Sequence, residues 1–198
     1  MWRDWRNRLL MSPRFQRAAA AFPLTRPLAR REARGLFDVV AGFVYSQVLL
    51  SCVRLGVLER LRDGPLTAAQ LLPAETLAPA PAATLLRAAA ALELLERRGA
   101  EHWALGARGA ALLGNPGVLA MIEHHALLYA DLVDPLAMLR APRGATALAR
   151  YWPYAATAEP GQVDTAATRA YTQLMSASQG LVAEEILDAY DVRRHRRV

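Results

Sequence analysis

Imidazole and carboxyl side chains are concentrated in one stretch of the chain, where metal binding is the first chemistry to consider. The stretch contains Glu123, His124, His125, Asp131 and Asp134. Adjacent histidines on a helix point about 100° apart, and neither has a second histidine three or four residues away, the spacing of known helical metal sites. The sequence therefore predicts no metal site. Two roles stay open for the histidines, lining a substrate pocket or hydrogen bonding within the fold.

Nucleophilic catalysis has no support from the residue pattern. No glycine-flanked serine follows a predicted strand, and the single cysteine, Cys52, lies in an apolar stretch where nothing polar would lower its pKa. One cysteine also excludes disulfides and fits a reducing compartment. The remaining ligand-binding candidates are aromatic or methionine side chains: Trp152, Tyr154, Tyr171 and Met175. Each of these, taken alone, is more often a core residue.

The first element that must position these residues is an apolar helix predicted over Leu36–Leu55. Fourteen of its twenty residues are apolar, so its side chains are apolar on most sides. Such a helix has to be covered nearly all round. Asp38 and Arg54 bracket an uncharged run of only fifteen residues with Gln47 in the middle, whereas a membrane span needs about 18 or more apolar residues. The pattern favours a core or subunit-interface helix.

The next segment is typical of a winged helix-turn-helix. Gly56 fits the left-handed end of the first helix, and Thr67 with Gln70 forms a capping box that starts another. Leucines and alanines then recur at helical spacing, and a glycine turn separates two strand-like runs. The predicted elements are a turn at Val57–Arg62, a second helix at Thr67–Leu72, a third helix from Pro81 to Leu95, and a hairpin wing with strands Leu94–Arg97 and His102–Leu105.

Helices are also predicted for the rest of the chain. Ala107–Leu113 forms a short helix, and Val118–Leu139 a long one bent at Pro135, because proline removes a backbone donor. Asp164 or Thr165 caps a last helix that runs to about Tyr190. The fold class is therefore mainly α, with the hairpin as its small β component.

Positive charge is concentrated at the start of the chain. The net charge is +6, all 24 basic residues are arginine, and nine of them precede residue 35 against Asp4 and Glu32. Trp2, Trp5 and Leu9 share one face of a predicted helix, so this arm could rest on an anionic membrane surface or pack across a partner subunit. No apolar secretion signal is present, which predicts a cytoplasmic protein, with or without membrane association.

The winged helix and the pI near 10.2 raise a DNA-binding regulator as the alternative function. A recognition helix needs polar side chains that reach base edges. The third helix offers Thr84, Arg87 and Glu93 among alanines and leucines. Its outer face is better suited to a protein surface, so no nucleic-acid partner is expected.

The ordered elements resemble the N-terminal half of S-adenosylmethionine-dependent O-methyltransferases, the family that includes plant phenolic and acetylserotonin methyltransferases and bacterial carotenoid methyltransferases. The resemblance rests on the apolar run from Phe37 to Phe43, on Gly56 to Glu59, on the winged helix, on Tyr171 and Met175, and on the helix end from Leu187 to Tyr190. It covers nearly the whole chain and includes the arginine-rich start.

The resemblance implies a homodimer whose first helices intertwine, and a last helix that closes over an active site. By position it makes Tyr171 a contact of the S-adenosylmethionine cofactor and Met175 a contact of the substrate. Trp152, Tyr154 and His125 are added as residues of a pocket for a hydrophobic, carotenoid-type acceptor. No catalytic residue is assigned, because the family's histidine base lies in the other half of the enzyme.

The donor-binding, Rossmann-like methyltransferase domain would begin where this sequence stops, so a fragment that neither binds S-adenosylmethionine nor transfers methyl groups on its own is expected. The predicted parts are a basic arm at 1–35, a winged-helix dimerisation domain at 36–114, a helical substrate-lid region at 115–190, and the start of the methyltransferase domain at 191–198. Enzyme fragment, DNA-binding regulator and pure dimerisation module remain the three classes.

Overall fold

A computed structural model describes residues 2–142, 144–152, 159, 165–195 and 197. These residues form a mainly α structure with one small sheet, as the sequence predicts. The elements are α1 (Trp2–Leu10), α2 (Pro13–Ala21), α3 (Arg26–Arg54), α4 (Val57–Arg60), β1 (Leu66–Thr67), α5 (Ala68–Leu71), α6 (Pro79–Ala91), β2 (Leu95–Arg98), β3 (His102–Leu105), α7 (Ala107–Leu113), α8 (Pro116–Asp131), α9 (Pro135–Arg140), α10 (Ala147–Tyr151), α11 (Thr165–Ala189) and a 3₁₀ turn (Val192–Arg194).

Two compact units divide the chain, Met1–Gln47 and Val48–Val198. The boundary falls inside α3, which begins ten residues before the predicted start at Leu36. Pro27 occupies the first turn of α3, where a missing N–H costs no helical hydrogen bond. The domain boundaries drawn from the sequence remain predictions.

The first unit has no buried side chain among its described residues. Its α2 is capped locally: the N–H of Phe15 donates to the Ser12 hydroxyl at 3.4 Å, and the Thr25 hydroxyl donates to the carbonyl of Ala19 at 2.7 Å. The first bond caps the start of α2, and the second closes the turn between α2 and α3. They contribute no hydrophobic core, so the apolar side chains of this unit remain open to solvent.

The core of the second unit lies where the end of α3 meets α4, α5, α6 and the sheet. Gly56, with a left-handed φ of 64°, turns the chain from α3 into α4. The buried residues are Cys52, Val57, Leu58, Leu61, Leu71, Leu72, Ala82, Leu86, Ala89, Leu94, Leu95 and Trp103. Burial of several leucines at about 1.5–3 kcal/mol each is the main force that holds these short elements together.

The sheet has three antiparallel strands in the order β1-β3-β2. The Thr67–Gln70 capping box is confirmed, with both reciprocal hydrogen bonds present. The hairpin is also confirmed, although β2 begins at Leu95 and not at Leu94. The third helix ends at Ala91, four residues before the predicted Leu95, because Glu93 adopts a left-handed φ of 60° between helix and strand.

Helices α8 and α11 form the second layer of this unit. They approach closely at Gly117, where an added Cβ would lie 2.2 Å from the carbonyl oxygen of Ala177. The single bent helix predicted over Val118–Leu139 is wrong: residues 132–134 separate α8 from α9, and the Asp134 carboxylate accepts from the N–H of Ala137 at 2.9 Å to start α9. The predicted cap at Asp164 lies outside the described residues.

Candidate functional site

Aromatic rings from α8, α10 and α11 form one cluster in the second unit. The His124 ring on α8 lies 4.4 Å from the Tyr151 ring at the end of α10, measured between centroids. Tyr171 on α11 lies 6.4 Å from Tyr151 and 5.6 Å from Trp152. The two distances from Tyr171 fall in the range of favourable aromatic pairs, each contributing about 0.5–1.5 kcal/mol beyond area burial. The cluster therefore joins three helices that are distant in sequence.

The five-residue helix α10 is too short to be stable alone, and Asp131 fixes its position. The Asp131 carboxylate at the end of α8 accepts from the N–H groups of Ala147 at 2.7 Å and Leu148 at 2.9 Å. The Thr146 hydroxyl accepts from the N–H of Ala149 at 3.0 Å. A carboxylate at a helix N-terminus satisfies orphan donors and interacts favourably with the helix dipole. These bonds place Tyr151 against His124.

A cavity of about 620 Å³ lies beside this cluster. Polar and apolar groups both line it: Arg54, Ala120, Glu123, His124, Ala126, Leu127, Tyr151, Gln173, Leu174 and Ala177. The volume is in the range of small-molecule sites, which combine apolar walls with a few polar groups. The cavity could therefore accept a largely apolar molecule that carries a hydroxyl or another small polar group.

Two members of the cluster, His124 and Tyr151, have pKa values shifted toward their neutral forms. Burial, with the nearby charge of His125 as a smaller cause, lowers the pKa of His124 below its ordinary value. Burial also raises the pKa of the Tyr151 hydroxyl. At neutral pH the imidazole is therefore uncharged, with one nitrogen able to accept a hydrogen bond and the other able to donate. This pair can orient a hydroxyl group.

Of the residues predicted from sequence, those that the structure describes are not on the lining of this cavity. Trp152 and Tyr171 are in contact, as described above, while His125 lies 6.3 Å from the Tyr129 ring, between centroids. Met175 is half-buried, and its sulfur lies 3.9 Å from Nε2 of Gln179. Tyr154 lies outside the described residues. Their roles as substrate or cofactor contacts remain predictions.

The sequence left His124 open as a pocket residue without assigning it to the site, and it did not indicate Tyr151 as a lining residue. Both are immediate neighbours of predicted residues, and their sequence separation hides the contact between them. The Asp131 carboxylate is the signal that could have indicated their contact. It caps α10, and so it holds Tyr151, the last residue of α10, close to α8. Among the residues that the structure describes, no group of three His, Cys, Asp or Glu side chains could hold a metal ion.

A second candidate surface is the apolar part of α3 in the first unit. The large side chains there are mostly solvent-exposed: Leu36, Phe37, Val39, Val40, Phe43 and Val44. Within the described part of the chain, α3 is the one helix whose length and composition would allow it to cross a membrane. An exposed apolar face of this extent normally marks an interaction site.

Residues 37–115 match the family model of the O-methyltransferase dimerisation domain. The chain contains an O-methyltransferase dimerisation domain. The domain match begins within the apolar face of α3 and ends just after α7. The matched residues therefore include most of the exposed apolar face of α3 and the small core with its three-stranded sheet.

Two curated relatives match nearly the whole chain. The sequence is 47% identical over 191 residues to demethylspheroidene O-methyltransferase of Cereibacter sphaeroides, covering 96% of this chain and 50% of that protein. The enzyme of the same name from Rhodobacter capsulatus is 41% identical over 193 residues, covering 97% of this chain and 48% of that protein. The chain thus spans about half the length of these relatives.

Solved methyltransferases share the fold of the dimerisation domain and the helices after it. The S-adenosylmethionine-dependent methyltransferase SibL has a TM-score of 0.61 at 24% identity, covering 81% of this chain and 48% of its own. Human N-acetylserotonin methyltransferase, solved with S-adenosylmethionine, has a TM-score of 0.52 at 22% identity, covering 81% and 49%. At these identities the likeness establishes the fold alone.

Proposed function

We propose that this chain is the dimerisation and acceptor-binding region of an S-adenosylmethionine-dependent O-methyltransferase that methylates a hydroxyl group of a carotenoid of the demethylspheroidene type. The observation that carries the proposal is the 47% identity to demethylspheroidene O-methyltransferase over 96% of the chain. In this proposal α4, α5, α6 and the β2–β3 hairpin form a winged helix that serves subunit contact.

The uncovered first unit supports the homodimer. None of its described side chains is buried, and a cleft of about 540 Å³ lies open between α2 and α3. The cleft is lined mainly by apolar side chains, including Leu10, Phe15, Leu28 and Leu36. A second copy that covers α3 would remove this apolar surface from water at roughly 25 cal/mol per Å². We therefore assign the apolar face of α3 to the subunit interface.

The cavity beside His124 and Tyr151 supports acceptor binding. A carotenoid is a long hydrocarbon, and its acceptor hydroxyl could meet the polar groups of the cavity, His124 and Tyr151 among them, while apolar side chains line the rest. Transfer of the hydrocarbon from a membrane into an apolar pocket requires little desolvation. Such an acceptor is compatible with Trp152, Tyr171 and Met175 as neighbouring contacts.

The cofactor of the proposed enzyme is S-adenosylmethionine. Binding of such nucleotide cofactors by α/β domains uses a parallel strand that runs into a glycine-rich turn, whereas the sheet within the described residues is antiparallel. We therefore place the donor site outside these residues, and we expect calorimetry of the isolated chain with S-adenosylmethionine to show no binding.

The alternative, a DNA-binding regulator, has little support from α6. The Thr84 hydroxyl donates to the carbonyl of Ala80 at 3.0 Å, and Arg87 donates to the Thr84 hydroxyl at 3.1 Å. These two polar side chains hydrogen-bond within their own helix, and most of their neighbours are alanine or leucine. Base readout relies on polar side chains that reach the groove.

The oligomeric state tests the central part of the proposal. Light scattering after gel filtration should give twice the mass of the chain. Phe43→Asp places a charge on a side chain that is 72% exposed on α3, and it should weaken the dimer by at least about tenfold, because a buried unpaired charge is costly at an interface. Val133→Asp, at an 86% exposed position in the second unit, is the matched control and should leave the dimer intact.

Two results would contradict this proposal. One is a wild-type monomer at micromolar concentration. The other is a dimer that Phe43→Asp and Val133→Asp affect equally. Carotenoid retention tests the acceptor role separately. The wild-type chain should co-elute with the hydroxylated carotenoid from detergent micelles, and Tyr151→Ala should reduce this retention.

A further inference from the structure

We infer that α1 is an anchor for anionic membrane surfaces, a role that the proposed dimer and acceptor site do not require. The helix Trp2–Leu10 lies before the residues that match the dimerisation domain, which begin at Phe37. The domain match therefore gives no reason for its composition. The inference rests on three properties of α1 and the segment around it: exposed tryptophan, arginine and an uncovered helix.

The first property is a pair of exposed tryptophans. Trp2 is 73% exposed and Trp5 is 53% exposed, and their rings stack with centroids 5.2 Å apart. Two neighbouring tryptophans with this much exposed ring surface are unusual, because tryptophan side chains are highly buried on average. Tryptophan is enriched where a protein meets the membrane–water interface, because the ring lies among headgroups with its N–H in the polar layer.

The second property is the charge on the same helix. Arg3, Arg6 and Arg8 alternate with the tryptophans, and all three are exposed. The first 34 residues carry nine arginines against two acidic residues. A short helix with an apolar edge, arginines around it and low net hydrophobicity has the composition of interfacial helices that lie in the plane of a membrane.

The third property is the lack of burial around α1. Every described residue of α1 is exposed or half-exposed, and so is the turn after it, where Met11 is open to solvent. The α1 helix is therefore available to an external partner. It need not break any core contact to bind one.

Charge complementarity selects anionic lipid over a second copy of this chain. Residues 35–198 carry 15 arginines against 16 acidic residues, so the body of a second copy is nearly neutral and offers the arm little attraction, while the arm of a second copy would repel it. The anionic lipids of a membrane surface attract such a segment, with each arginine near the surface strengthening binding about fivefold. Nucleic acid also attracts arginine, but base stacking needs free ring faces, and Trp2 and Trp5 lie against each other.

Vesicle sedimentation tests the anchor directly. The wild-type chain should sediment with vesicles of phosphatidylcholine mixed with phosphatidylglycerol, and much less with phosphatidylcholine alone, and added salt should weaken the binding. Arg3→Gln/Arg6→Gln/Arg8→Gln should lower the partition coefficient on the order of 100-fold. Trp2→Ala/Trp5→Ala should lower it roughly 10-fold or more at every salt concentration.

The control variant removes the same number of exposed arginines from the second unit, as Arg62→Gln/Arg87→Gln/Arg98→Gln, and should bind vesicles like the wild type. Equal binding to both vesicle types would overturn the inference. So would unchanged binding in the α1 variants, a dimer weakened by Trp2→Ala/Trp5→Ala without vesicle binding, or duplex DNA binding that ignores the tryptophans. The dimer mass and carotenoid retention are read separately, so failure of the anchor leaves the proposed function standing.

Discussion

The imidazole ring of His124 packs against the phenol ring of Tyr151, with 4.4 Å between the ring centroids and 47° between the ring planes. This contact joins the middle of α8 to the last residue of α10, twenty-seven positions later. It also removes part of the imidazole from water. The pKa of His124 therefore reports on the geometry of the candidate site.

Loss of the Tyr151 ring should raise the pKa of His124 toward 6.5, the ordinary value. Burial is the larger cause of the lowered pKa and the charge of His125 the smaller one, so Tyr151→Ala should raise the pKa more than His125→Gln. Imidazole proton shifts measured by NMR against pH give both values. A larger change in His125→Gln would show that charge, and not burial, controls this group.

The lowered pKa of His124 also predicts how the free energy of unfolding changes with pH. In the folded chain His124 takes up its proton only below the pH at which an unfolded histidine does, near 6.5. The unfolded chain therefore binds more protons as pH falls through 6.5, and the free energy of unfolding should decrease there. In His124→Gln this part of the pH dependence should disappear, as urea unfolding at several pH values would show.

The Asp131 carboxylate is expected to control whether α10 is formed. The N–H groups of Leu148 and Ala147 hold the pKa of this carboxyl below its ordinary range; burial opposes this in part, and the positive charge of Arg150 adds a smaller lowering effect. Asp131→Ala removes both acceptors, so the amides of residues 147 and 148 should exchange with solvent much faster. Hydrogen exchange followed by mass spectrometry measures this.

A pH series on the wild type provides the second arm of that experiment. Because the folded pKa of Asp131 is lowered, the capping contribution is full above the ordinary aspartate pKa and is lost as pH falls through the lowered value. Protection of α10, corrected for intrinsic exchange, should drop only in strongly acidic solution. Asp134→Ala, which removes the equivalent cap of α9, should leave α10 protected, and equal loss in both variants would refute the assignment.

Local sequence signals predicted the elements that are held by local contacts. The Thr67–Gln70 capping box and the left-handed Gly56 depend on residues within a few positions, and both are present as expected. Strand β1 was missed because its two residues become a strand only by pairing with Trp103 and His102. The start of α3 was missed because the prediction followed the apolar run from Leu36, whereas the helix continues ten residues further toward the N-terminus, with Pro27 tolerated in its first turn.

The candidate site depends even more on contacts between residues that are distant in the sequence. The hydrogen bonds from Ala147 and Leu148 to Asp131 span sixteen and seventeen residues, and no periodicity encodes such a pairing. The histidine pair and the aromatic segment were both visible in the sequence. Their juxtaposition depends on the Asp131 cap of α10 and on the packing of α8 against α11, which approach closely at Gly117.

Gly117→Ala should therefore destabilise the packing of α8 against α11. Its Cβ would lie 2.2 Å from the carbonyl oxygen of Ala177 and 2.9 Å from the Cα of Ser178. These are backbone atoms of α11, which cannot rotate away, so the helices must separate, at a cost of about 1–3 kcal/mol. Urea unfolding should show this loss in the midpoint.

Gly180→Ala is the matched control on α11, because nothing lies within 4 Å of its added Cβ. An exposed glycine within a helix is less favourable than alanine, so this variant should be more stable by roughly 0.5–1 kcal/mol. The pKa of His124 should also rise in Gly117→Ala, since separated helices expose the imidazole, and should stay unchanged in Gly180→Ala. Equal stability of the two variants would mean that α8 and α11 do not meet at Gly117.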